Sequence, residues 1–173
     1  MRQKILWITR TAVLTALLVI LQGTTASAGQ LATGSCVNAV LATAALLGGP
    51  WCGVTVAAIS PVFAFLLGIG PQLIPIVPAI AAGNIVFVLL LRFVCGSASV
   101  LWRKVLAWLA AAAAKAAALY LLVVVLLCNV LALPQPQIEK FTAMFSLPQL
   151  ITALIGGGIA LIFVPELKKA LRS

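Results

Sequence analysis

Long apolar runs recur along the whole chain, broken only by short stretches of glycine, proline and basic residues. A chain of this pattern has one natural setting, the lipid bilayer, because about 20 consecutive apolar residues wound as a helix cross the hydrocarbon core. The first run, 5–22, is preceded by Arg2 and Lys4 and carries Arg10 in its early turns. It also holds Ala12 and Ala16, four residues apart and therefore on one helical face. Two small side chains on one face make a flat patch that another helix can approach closely. Lysine and arginine are retained on the cytoplasmic side, so the patch is expected in the inner half of this helix.

Further runs are read at about 30–47, 51–67, 74–94, 105–131 and 147–164. Of the 173 residues, 64% are hydrophobic and 8% charged, far from the roughly 25% charged of a soluble domain. The expected fold is an all-α membrane protein: a compact bundle of six transmembrane helices forming a single integral membrane domain, 1–173. Residues 1–29 resemble a signal peptide, with a basic start, an apolar centre and Ala-Ser-Ala before Gly29. The apolar part is long, however, and the rest of the chain is membrane-embedded in any case, so an uncleaved first helix is the preferred reading.

The net charge of +9 does not argue for nucleic acid, because the basic residues sit in short clusters between apolar runs, where they set topology. With six spans, Arg2, Lys4, Arg10, Arg92, Arg103, Lys104, Lys168, Lys169 and Arg172 all fall on one side. Lys140 alone falls on the other, beside Glu139. Both termini are therefore expected in the cytoplasm, with outer loops at 23–34, 68–75 and 133–140. The first of these reads as mobile, and 141–146 as a short amphipathic turn. Trp51, Trp102 and Trp108 read as interfacial anchors.

Several chemistries are excluded. The two acids, Glu139 and Glu166, lie in loops or at an end, and there is no histidine. No acid–base pair or nucleophile relay is available within the membrane, so the chain is not expected to be an enzyme. The cysteines Cys36, Cys52, Cys95 and Cys128 lack metal-site spacing, and no metal or other cofactor is expected. No phosphate-binding Gly-x-x-x-x-Gly-Lys loop is present, so any uphill transport must draw ATP energy from another subunit. No internal repeat of the kind found in inverted-repeat carriers is evident.

What remains is a sparse set of polar residues in an apolar bundle. Gln30, Asn38, Asn84, Lys115, Tyr120 and Gln149 are the candidates for a small-molecule pocket, with apolar walls and a few orienting hydrogen bonds. The competing reading is that each amide bonds only a neighbouring helix. Asn129 belongs to the same polar set. Lys115 stands apart, since a lysine at mid-membrane costs roughly 2.5–3.5 kcal/mol on insertion scales and has no intramembrane acid here to pair with. Backbone carbonyls, a partner interface or an acceptor group on a bound ligand are the three ways to satisfy it.

The segment Arg10-Thr-Ala12-Val-Leu-Thr-Ala16, in the first of six short spans, resembles the Ala-x-x-x-Ala motif of the substrate-binding S components of energy-coupling factor (ECF) transporters. The resemblance covers essentially the whole chain. It implies the substrate-specificity subunit of an ECF-type ABC importer in a bacterial plasma membrane. Such a subunit binds a vitamin or related micronutrient at the extracellular side. It implies contact of Ala12 and Ala16 with the transmembrane EcfT subunit, and two ATPase subunits that power a cycle in which the S component topples in the membrane. It does not point to one ligand; a largely neutral or mildly anionic heterocycle is the expectation. The alternative is a stand-alone small channel or structural membrane protein, although the polar stripe of a pore is not evident.

Overall fold

The computed structural model describes residues 2–95 and 100–171, with side chains from Lys4 onward. The Arg2 side chain and Arg172, both counted in the charge pattern above, lie outside the described residues, as does the 96–99 part of the loop after the fourth span. Among the described residues every regular element is helical.

Helix α1 spans Arg2–Thr25 and ends in a 3-10 turn, Ala26–Ala28. Helix α2, Gln30–Thr43, widens into a π-helical turn at Ala44–Gly48. Gly49 then takes φ +92°, a left-handed value that a side chain resists, and Pro50 begins α3, Pro50–Leu66. Helix α4, Ile76–Leu90, is prolonged by a π turn, Leu91–Cys95. Helix α5, Leu101–Leu119, runs on through a π-helical stretch, Tyr120–Leu127, to a last α-turn, Cys128–Val130. Two more helices follow, α6, Gln135–Phe145, and α7, Leu147–Ala170.

Five helical stretches are long and apolar enough to cross a membrane: Lys4–Ala28, Gln30–Gly48, Ile76–Cys95, Leu101–Val130 and Gln135–Ala170. The shorter apolar helix Pro50–Leu66 is the sixth. Together they occupy the positions of the six spans read from the sequence.

Two connections differ from the sequence reading. The stretch 23–34 is not a loose loop, because α1 and α2 consume nearly all of it and leave only the short turn and Gly29. Thr33 Oγ1 donates to the Thr25 carbonyl at 2.8 Å, tying the two helix ends together. Within the stretch 133–146, residues 135–145 are neither a loop nor a single turn but α6. Prolines at 134 and 136 suggest a break, yet proline is well suited to the first turn of a helix, where its missing N–H has no partner to lose.

Small residues decide how closely the helices approach. A Cβ on Gly156 of α7 would come within 2.5 Å of the Ala39 nitrogen and 2.6 Å of the Ser35 carbonyl, both backbone atoms of α2. Helix α7 thus lies directly on α2, as small-residue interfaces allow in membranes. Trp108 also departs from its expected place, since its ring covers Gly157 and Gly158 of α7 instead of standing free at an interface. Trp102, by contrast, is exposed, with the Arg103 guanidinium 5.5 Å from its ring centre.

The main core gathers Leu18, Leu41, Val56, Phe87, Val88 and Leu91 from α1 to α4 with the alanines of α5 and α7. A second cluster, Ile76, Leu119, Val123, Phe141 and Phe145, packs α6 against α4 and the wide part of α5. The α6 end of the bundle is therefore capped by a packed helix. Beneath that cap lies the cavity described next.

Candidate functional site

The cavity measures about 470 Å³ and is lined by all six helices of the bundle and by α6. Its walls include Val37, Pro61, Ala64 and Ile80, and its rim is formed by Ala26, Gly29, Leu67–Pro71, Met144 and Phe145. Pockets of this size, apolar with a few convergent polar groups, suit small organic molecules.

Five of the polar residues picked out from the sequence meet here: Gln30, Asn38, Asn84, Lys115 and Gln149. Lys115 is 2% exposed, and its ammonium donates to Asn38 Oδ1 in a short hydrogen bond. The same ammonium stands 5.4 Å from the centre of the Phe87 ring, close enough for a cation–π attraction. Asn38 is fixed in turn, because its Nδ2 donates to Thr152 Oγ1 at 3.2 Å and Thr152 Oγ1 donates to the Gln149 carbonyl at 3.2 Å. Among the described residues it is a side-chain amide and an aromatic face, and not the backbone carbonyls considered above, that receive the ammonium. Asn84 is buried and lines the cavity from α4.

Gln30 and Gln149 play a different part. Both donate through Nε2 to the Met144 carbonyl, at 2.7 and 3.2 Å. That carbonyl belongs to the last turn of α6, whose acceptors have no partner within their own helix. The two amides therefore fasten the capping helix to α2 and α7 at the rim.

Tyr120 does not join the site. It is 38% exposed at the start of the π-helical stretch and is not part of the cavity wall. Asn129 is also elsewhere, exposed, donating to the Val125 carbonyl within its own helix at 2.6 Å.

Three polar residues of the cavity, Gln22, Thr33 and Ser60, are not among the candidates read from the sequence. Gln22 of α1 and Ser60 of α3 are bonded neighbours in its wall, with Gln22 Nε2 donating to the Ser60 carbonyl at 3.2 Å. Gln22 Oε1 is buried without a hydrogen-bond partner among the described residues. For Gln22 the signal is present in the sequence, since it is the one amide in the run 5–22 and stands at its last position.

Ala12 and Ala16 lie on the outside of the bundle, in a separate apolar depression of about 710 Å³. Trp7, Ile8, Val19 and Ile20 of α1 and Ile59 and Phe63 of α3 border it. Both alanines are exposed, and no bulky side chain of the described residues covers them.

A six-helix membrane bundle with a small polar-floored cavity under one end and a bare alanine strip on its flank defines a class: an integral membrane protein shaped to hold a small molecule. Residues 7–167 match the family model described as "ECF transporter, substrate-specific component". The chain belongs to that family. No curated protein and no solved structure matches it.

Proposed function

We propose that this chain is the substrate-binding subunit of an ECF importer that takes up a vitamin or related micronutrient across a bacterial plasma membrane. The cavity carries this reading. It is the place where buried polar side chains from α1, α2, α3, α4 and α5 converge in an otherwise apolar bundle. Membrane helices rarely keep a lysine at depth without a functional reason. In this reading the six helices form one membrane domain, both termini are cytoplasmic and the α6 end faces the exterior. The basic residues near the chain ends and around 103–104 support that orientation.

The alanine depression is the docking face for the EcfT subunit, and two ATPase subunits supply the energy. Small exposed residues on one helix face support this, because they permit the close backbone approach on which helix association in lipid depends. The chain itself performs no chemistry on its cargo.

The test is a thermal-shift screen of the detergent-purified chain against a panel of water-soluble vitamins and their precursors. A compound that binds the native state raises the melting temperature in a concentration-dependent way. A shift with one compound class supports the reading. A chain that retains no small molecule from the panel or from a bacterial metabolite extract, and never co-purifies with an EcfT–ATPase module, favours the stand-alone channel or structural protein.

A further inference from the structure

The charges and open hydrogen-bonding groups of the cavity are lopsided. Lys115 is the one lysine or arginine among its lining residues, and no aspartate or glutamate is among them. The chain's acids, Glu139 and Glu166, are exposed and already bonded, to Gln135 at 3.3 Å and to Lys169 at 2.7 Å. The groups that receive the Lys115 ammonium, Asn38 Oδ1 and the Phe87 ring, carry no charge. An ammonium offers three N–H donors, so the single bond to Asn38 leaves donors for something else. A buried charge that no protein acid balances is strongly disfavoured unless a counter-charge is brought to it.

A second feature points the other way in hydrogen-bonding sense. Gln22 Nε2 donates to the Ser60 carbonyl and also lies 3.4 Å from Ser60 Oγ. Because the Ser60 carbonyl can only accept, the amide orientation is set, and Oε1 is left as a buried acceptor with no donor among the described residues. It belongs to a residue of the cavity wall.

We propose that the cavity takes a monoanionic small molecule, its carboxylate seated on Lys115 and one of its N–H or O–H groups donating to Gln22 Oε1. This rests on the reading of the chain as a ligand-binding subunit and narrows its substrate class. A single lysine balances a single negative charge. A dianion leaves one charge uncompensated in an apolar surround, and an organic cation meets Lys115 with no acid to offset it. The amide of Asn84 is a further buried polar wall group, available to the body of the ligand.

The experiment uses the full chain purified in detergent. It is incubated with an equimolar mixture of water-soluble vitamins, then separately with a bacterial metabolite extract, and washed. Compounds retained are identified by mass spectrometry. The expected result is a compound with one carboxylate. Its primary amide, titrated against wild-type protein, binds at least about tenfold more weakly, the scale of a lost hydrogen bond to a charged group. Lys115→Met and Lys115→Gln lose affinity for the acid by a similar factor and no longer distinguish acid from amide. Gln22→Met weakens both acid and amide. The proposal is overturned by a retained compound that is neutral or cationic, or by an amide that binds as tightly as its acid. The amide comparison needs no variant and so stands even where a substitution disturbs folding. A wild-type chain that retains nothing from either source overturns the ligand-binding reading itself, a distinct outcome.

Discussion

Gly156 of α7 faces Asn38 of α2 so closely that a Cβ built on the glycine would lie 2.6 Å from the asparagine Cβ. The contact links packing to the site, because the residue held against Gly156 is the one that receives the Lys115 ammonium. Only a glycine lets the two helices meet at this separation.

Gly156→Leu is therefore expected to cost stability and ligand binding together. Overpacking a tight core contact costs typically 1–3 kcal/mol, and here the obstacle is backbone of α2, which cannot rotate away. The check is a melting curve in detergent beside a binding titration; Gly158→Ala is the control. Its added Cβ lies 3.2 Å from the edge of the Trp108 ring, so a smaller effect is expected there.

Asn38→Leu should destabilise the chain by about 1.5–3 kcal/mol, the value of a hydrogen bond to a charged group. The loss should shrink in a Lys115→Met background, where no ammonium remains to be satisfied. A double-mutant cycle on the melting or denaturation midpoint measures this coupling. Equal losses in both backgrounds would mean that Asn38 acts through Thr152 alone.

Ala12→Trp and Ala16→Trp should each weaken association with an EcfT–ATPase module by more than about tenfold, equivalent to 1.4 kcal/mol, and leave ligand affinity unchanged. Both alanines open onto the outer depression and not onto the cavity. Co-purification and titration on the same preparations separate the two effects. Loss of ligand binding by these variants would join the two sites and contradict the division of labour.

Tyr120→Phe should leave ligand affinity within about twofold, the scale of a surface change of ±0.5 kcal/mol. The residue is partly exposed on the wide part of α5 and lies outside the cavity wall. A titration decides it.

The sequence exposed the bundle and much of the site for physical reasons that apply at particular residues. Membrane spans are readable because the bilayer imposes length and apolarity, and the six runs found their helices. Asn38, Asn84 and Lys115 stood out because polar groups at depth are rare. Tyr120 lies outside the cavity wall because it follows Lys115 by five residues, about 140° around a helix of 3.6 residues per turn, so the two side chains leave α5 on different faces. The inward turn of Trp108 depends on a groove made by Gly157 and Gly158, a contact between residues far apart in the chain. Helix α6 was hidden by prolines that begin it. Gln22 was overlooked because its partner Ser60 lies on another helix, 38 positions away.

The central claim is that a small molecule sits in the cavity under α6. The most direct measurement compares wild type with Ala64→Trp for retention of a compound from the vitamin mixture, with melting curves to show that both are folded. Ala64 is a half-buried wall residue, so an indole there would occupy the space assigned to the ligand. The account predicts retention by wild type and none by the variant, with association to the EcfT–ATPase module preserved. Undiminished retention by a folded Ala64→Trp chain would place the ligand elsewhere and contradict the account.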